Sequence, residues 1–351
     1  MTDKHRFEYI DAWKGFAIFT VVMGHVIAVF FESYKEINNN FPLAFYWWKL
    51  VYSFHMPLMF FISGFLFLSS RFATQSLGRI WFHKIQPLVL PYIFMGIIMF
   101  LLRDDSHSYW YLRTLFIYIS IQILYEYIRK HANLNWKSDI IWLCITYIIA
   151  VKSRYLLRYE IIDTLFDIKR FSNFYIYFVL GVLFRRHNIF EILKTIKNNE
   201  SLFLFLSAGY IIITIGFGYG VNKHLRVLFV LAIIISTYYV FHNKFKDKPG
   251  NVGVLYNFMK YMGKHSLEIY ALHFFVLFKI PEIGDFIVKS CEKGIVLNDP
   301  RYILTGLTIE LLLGIILSIV EILTCALIFE SLKAFPLIYK LFLGRDVQIK
   351  P

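Results

Sequence analysis

The chain has 351 residues, of which 58% are hydrophobic and 17% charged, and its mean hydropathy is +0.56. A soluble domain of this length has no use for so much apolar surface, so the composition excludes an ordinary cytosolic enzyme and points to the bilayer as solvent. The net charge of +13 does not signal nucleic acid, because the Lys and Arg fall in short clusters between apolar runs, where membrane topology accounts for them.

A helix needs roughly 20 apolar residues to cross the hydrocarbon core. On that criterion the sequence predicts an all-α integral membrane bundle of about ten transmembrane helices, at 12–31, 45–68, 85–102, 110–128, 139–157, 171–185, 202–219, 225–242, 265–287 and 303–330. Lys4 and Arg6 precede the first run as in a signal peptide, but the run carries Asp11 and Lys14 and has no small-residue cleavage site, so it is expected to be retained. Trp47 and Trp48 fit an interfacial aromatic belt at the start of the second run. Lys152, Arg154 and Arg158 intrude on the fifth, and Gly216, Gly218 and Gly220 mark a chain reversal after the seventh. No polar connection is long enough to bury a core of its own. Residues 1–351 are therefore expected to form a single transmembrane domain with no appended soluble domain, whose chemistry is built from helices and short loops.

Orientation follows from the basic connections. Lys4 and Arg6, then Arg71, Arg79 and Lys84, then Arg129, Lys130 and Lys137, then Arg185, Arg186, Lys194 and Lys197 alternate with connections of mixed sign. Lys244 to Lys264 and the tail with Lys333, Lys340, Arg345 and Lys350 continue the basic set, so both termini are expected to be cytoplasmic. The stretch from Lys152 to Arg170 is basic yet falls on the opposite side. Cys144, Cys291 and Cys325 form no Cys-x-x-Cys or Cys/His pattern, so neither a disulfide framework nor a metal site is expected.

Ionisable groups inside spans are costly, at least about 2.5–3.5 kcal/mol each on insertion scales, and must face the bundle interior. Lys14 and His25 are eleven positions apart and differ by roughly 20° around the first helix, and Asp11 lies about 40° to the other side of His25. All three share one face, although Asp11 and His25 are separated by about 21 Å along the axis. His55, in Phe54, His55, Met56, Pro57, falls at a depth similar to His25 on the antiparallel second helix, where Pro57 and Gly64 are expected to open the helix locally. Each of these histidines has two readings, a hydrogen-bonded interhelical contact or a reacting group. Ser266, Tyr270 and His273 form one helical stripe, Arg113 lies near an outer end, and Glu310 and Glu321 lie within the last span.

These residues resemble the motifs of the bacterial membrane acyltransferase family that includes polysaccharide O-acetyltransferases, the type-3 acyltransferases. Asp11, Lys14, Gly15, Gly24 and His25 resemble its first-helix motif. Phe54 to Pro57 followed by Ser63, Gly64 and Phe65 resembles the second, Leu90, Pro91 and Tyr92 the start of the third helix, Trp110 to Arg113 its Trp-Phe-Leu-Arg signature, and Ser266 to His273 its late Ser-Leu-x-Ile-Tyr-Leu-x-His element. Two departures stand out. Lys14 occupies the place usually held by Arg and lacks the planar fork for bidentate binding, and the family's Arg-x-x-Arg reads Lys84, Ile85, Gln86, Pro87 here.

The resemblance implies an O-acyltransferase of the bacterial inner membrane, multi-pass, which moves an acyl group, acetyl in the polysaccharide branch, from acetyl-CoA or another acyl-CoA to a carbohydrate hydroxyl. His25 is then the catalytic base, since an imidazole with an ordinary pKa of about 6.5 suits proton transfer near neutrality. Asp11 and Lys14 organise the donor entrance, and Arg79, Lys84, Arg185 and Arg186 contact the donor's phosphates. His55, Ser63, Trp110, Arg113, Ser266, Tyr270 and His273 surround the acceptor. Direct transfer and an acyl-histidine intermediate both remain open, and partners are limited to membrane lipids, acyl-CoA, the carbohydrate acceptor and a homo-oligomer, with no nucleic acid. The alternative is a transporter or exporter of a polysaccharide or lipid-linked precursor, in which buried His and Glu serve a proton relay. Such a protein commonly shows paired repeats, and none is visible here.

Overall fold

A computed structural model describes residues 8–32, 46–67, 77–103, 109–153, 168–196, 199–217, 223–245, 253–277 and 280–344. Among the described residues all regular structure is helical. The helices are α1 (Glu8–Phe30), α2 (Tyr46–Phe65), α3 (Leu77–Arg103), α4 (Trp110–His131), α5 (Trp136–Lys152), α6 (Ile168–Arg186), α7 (Ile189–Lys194), α8 (Asn199–Phe217), α9 (Lys223–Phe245), α10 (Val254–Lys264), α11 (Ser266–Val276), α12 (Pro281–Val296), α13 (Pro300–Leu332) and α14 (Pro336–Leu343). Three stretches among the described residues, Glu8–Phe30, Leu225–Asn243 and Pro300–Leu332, are long and apolar enough to cross a membrane. Gln86–Leu102, Glu200–Ile212 and Ser266–Val276 are shorter apolar helices.

Each predicted apolar run but one coincides with a single helix. The run at 265–287 is instead two helices, because Pro281 opens α12 at a position where its missing N–H costs nothing. The short helices α7, α10 and α14, of 6, 11 and 8 residues, are too short to register as spans. Pro57 sits inside α2, and that helix continues through it and through Gly64. Gly64 is a contact point rather than an opening: a Cβ there would stand 2.0 Å from the Phe178 carbonyl oxygen.

Two compact units divide the chain. The first comprises Met1–Met56 and Lys194–Ile328, the second Pro57–Leu193 and Phe329–Pro351. At the centre of the first is α1, packed against α9, α10, α11 and α12. Its buried residues lie all around the helix, as an apolar helix surrounded by others requires. Trp13 is fully buried, donates its indole N–H to Thr237 Oγ1 at 3.0 Å and meets the Tyr238 ring edge-on. Gly15 and Gly263 let α1 and α10 touch backbone to backbone, since a Cβ on Gly263 would lie 1.7 Å from the Asp11 carbonyl oxygen. At the other end of α1, Gly284 of α12 lies against the Phe30 carbonyl.

In the second unit α4 packs on α3 and α6, and α5 on α6. Phe60, Tyr118, Tyr175 and Phe178 form an aromatic core with ring separations of 4.9 to 6.4 Å. An ionic cluster joins α4, α5 and α6. Buried Asp139 accepts from Tyr125 Oη at 2.7 Å, Arg129 Nε at 3.2 Å and Arg186 Nη1 at 2.5 Å, and pairs with His187 Nε2 at 2.9 Å. Arg186 also pairs with Glu126, whose carboxylate accepts from Gln122. Here α14 returns to α3, ending at Gly344 with φ of 63°, the left-handed turn that lets its N–H reach the Lys340 carbonyl.

Candidate active site around His25

His25 lies five residues before the end of α1 and is partly exposed. Around it stand Tyr52 from α2 and His273 and Phe274 from α11, at centroid separations of 6.0, 5.3 and 4.8 Å. Tyr52 Oη lies 3.4 Å from His25 Nδ1. Aromatic side chains of α2 and α11 thus line the imidazole, and Gly24, whose Cβ would be 3.1 Å from the Tyr52 ring, admits that ring.

His273, beside His25, and His55, beside Tyr52, are locked in the same tautomer. His55 Nδ1 is 2.9 Å from the Val51 carbonyl, and His273 Nδ1 is 2.8 Å from the Tyr270 carbonyl. A carbonyl only accepts, so each Nδ1 carries the proton and each Nε2 presents a lone pair. His273 is fully buried, and its Nε2 has no hydrogen-bond partner among the described residues. A buried acceptor next to a second imidazole is a place where a ligand hydroxyl would be well received. Tyr270 and Ser266, both buried on α11, lie on the same short helix as His273.

Two groups that sequence reading did not assign hold α2 in place. Glu310 of α13 is fully buried and accepts from the Trp48 backbone N–H at 3.0 Å, with the Trp47 N–H also directed at it. These are first-turn N–H groups with no intrahelical acceptor, so the carboxylate caps the helix and meets its positive end. The Trp47 indole donates to the Leu307 carbonyl at 2.9 Å, which gives it an interior partner in addition to any interfacial role. Arg226 of α9 donates to the Ser53 carbonyl at 3.3 Å. Pro57 explains that contact: without an N–H it cannot bond the carbonyl four residues back, and Arg226 supplies the missing donor. A cation is thereby held within two residues of His55 in sequence.

Asp11 and Lys14 lie at the opposite end of α1 from His25, as their spacing requires. There α10 brings Lys260 onto Glu8 at 3.2 Å and places Lys264 within electrostatic reach of Asp11. Burial pushes the Tyr256 phenol on α10 up to about 12, helped by the negative charges of Glu8 and Asp11.

The remaining expected site residues belong to the second unit. Ser63 Oγ is 2.8 Å from Tyr111 Oη. Trp110 stacks on Phe174 at 5.9 Å and carries the Arg170 guanidinium 4.5 Å from its ring centre. Arg113 is half-buried in the first turn of α4, and Arg79 is exposed in the first turn of α3. The side chain of Lys84 lies outside the described residues. Arg185 rests over the Phe65 ring at 5.4 Å. Arg186, expected at the donor's phosphates, faces inward at 10% exposure between Glu126 and Asp139, which gives it a structural task instead.

Searches among curated proteins and among solved structures each returned no significant match. Residues 7–329 match the family described as an acyltransferase domain, of type 3. That span runs from the start of α1 to the last turns of α13 and includes every helix around His25, and the protein belongs to the type-3 acyltransferase family.

Proposed function

We propose that this membrane acyltransferase moves an acetyl group from acetyl-CoA to a hydroxyl of a surface polysaccharide or its precursor, across a bacterial inner membrane in which both chain termini face the cytosol. His25 is the general base. Its Nε2 takes the proton of the acceptor hydroxyl, the oxygen attacks the thioester carbonyl, the C–S bond breaks, and the CoA sulfur leaves with the proton from the imidazolium. The observation that carries this reading is a partly exposed His25 in the last turns of α1, beside a buried His273 whose Nε2 is an available acceptor.

Within the first unit, His55, Ser266, Tyr270 and His273 serve the acceptor, and Asp11 and Lys14, with Lys260 and Lys264 close by, form the donor entrance. Within the second, Ser63, Trp110 and Arg113 are assigned to carbohydrate, and Arg79, Lys84 and Arg185 to the donor's phosphates. Arg186 is withdrawn from that set because two carboxylates already occupy it. The test is release of CoA thiol from acetyl-CoA by full-length protein in liposomes supplied with surface polysaccharide, comparing wild type with His25→Ala. Loss of acetylation in a folded H25A protein is expected. Undiminished turnover in that variant would refute the assignment.

A further inference from the structure

We propose that Tyr52, which no motif singles out, is a positioning residue for His25: its phenol oxygen receives the Nδ1–H of the imidazolium that forms when His25 takes the acceptor's proton at Nε2. This rests on the assignment of His25 as the base. In the structure Tyr52 Oη lies 3.4 Å from His25 Nδ1, with the two rings at 74°. That is long for a ground-state hydrogen bond, and it is the kind of contact that tightens once one partner carries charge.

The phenol is well placed to hold its ground while the base changes charge. Its ring packs 4.6 Å from Trp48 and 4.7 Å from His55, and the Trp48 backbone N–H is bonded to buried Glu310. Because Tyr52 belongs to α2 and His25 to α1, the phenol does not move with the imidazole it serves. An interaction that strengthens only as charge develops lowers the barrier without tightening substrate binding. Proton balance is unaffected: the acceptor's proton passes to Nε2 and on to the departing sulfur, and Tyr52 keeps its own.

The other titratable groups around the pair come from several elements. His273 and Tyr270 belong to α11, His55 to α2, and Arg226, bonded to Ser53, to α9. The ions of α10 and α12 meet α1 at its two ends, where Lys260 pairs with Glu8 and where Gly284, between Glu282 and Asp285, touches Phe30. On α13, Glu310 caps α2 and Glu321 is buried without an ion pair among the described residues.

The experiment compares wild type, Tyr52→Phe and His25→Ala as full-length proteins in liposomes, with acetyl-CoA and surface polysaccharide, across pH. Y52F is expected to lower kcat about tenfold and leave both KM values unchanged. It also moves the acid limb of the kcat profile to lower pH, because an imidazolium deprived of its acceptor gives up its proton more readily. Tyr52→Gln, which keeps an acceptor oxygen, should hold the limb near its wild-type position, whereas Tyr52→Leu should follow Y52F. That second pair decides the matter if the Phe variant does not fold. Full kcat in Y52F, or a lower kcat with an unmoved limb, overturns the role of Tyr52 while an inactive H25A leaves the base assignment standing. An active H25A overturns the base assignment itself.

Discussion

Gly263→Ala probes the crossing of α1 and α10, where the structure leaves no room for a side chain. A Cβ at residue 263 would stand 1.7 Å from the Asp11 carbonyl oxygen, 2.6 Å from its carbon and 3.0 Å from the Gly15 nitrogen. All three atoms are backbone, so no rotamer change relieves them, and the helices must part by more than about 1 Å to approach ordinary contact. Helix propensity alone favours Ala over Gly by about 0.8–1.0 kcal/mol. Overpacking opposes this with a cost of about 1–3 kcal/mol, and more where backbone meets backbone. The net sign is destabilising. Gly209→Ala on α8 is the control, since a Cβ there meets nothing within 4 Å. Thermal unfolding followed by Trp fluorescence in detergent should show G263A melting several degrees below wild type, with G209A at or above it. In liposomes, G263A should raise the KM for acetyl-CoA, because Asp11 and Lys14 ride on the crossing. A G263A protein that melts with G209A would refute the close approach.

Three further outcomes follow from the same contacts. Asp139→Ala leaves Arg129 and Arg186 without their shared carboxylate and should cost about 3–5 kcal/mol, seen as a lowered unfolding midpoint. Arg186→Gln should lower stability while leaving the acetyl-CoA KM of the folded fraction unchanged, whereas Arg79→Ala should raise that KM with stability held within about 0.5 kcal/mol. The reverse pattern would return Arg186 to the donor site. Arg226→Ala strips the Ser53 carbonyl of its donor and should cost about 1 kcal/mol. In a Pro57→Ala background the helix can supply its own N–H, so the same change should cost nearly nothing, and equal losses in both backgrounds would refute the compensation.

Most of the helical framework was legible because apolar runs of spanning length leave few alternatives in lipid. What was missed has identifiable causes. The run at 265–287 contains Pro281, which marks a helix start as readily as a kink, and composition alone does not choose between them. Helix α10 packs its small residue onto α1 but carries Lys260 and Lys264, so a hydropathy window passes over it although it is a principal partner of the central helix. Pro57 and Gly64 suggested an opened α2, but Arg226 answers the first and the Phe178 backbone the second, and neither partner is near in sequence.

The candidate site divides along the same line. His25, His55 and His273 stand out in the sequence through local motifs, because an imidazole in an apolar helix is conspicuous by its cost. The groups that hold them were not, since Tyr52 and Trp48 are ordinary residues for a membrane helix and Glu310 lies 262 positions from the N–H it accepts. Loop cations pose the opposite difficulty. Arg185 and Arg186 are identical by type and adjacent in sequence, yet one lies over Phe65 and the other is enclosed by carboxylates 47 and 60 positions away. A helix turns 100° per residue, so neighbours at a span end point to different surroundings, and only the partner helices decide which of two basic residues remains open to a phosphate.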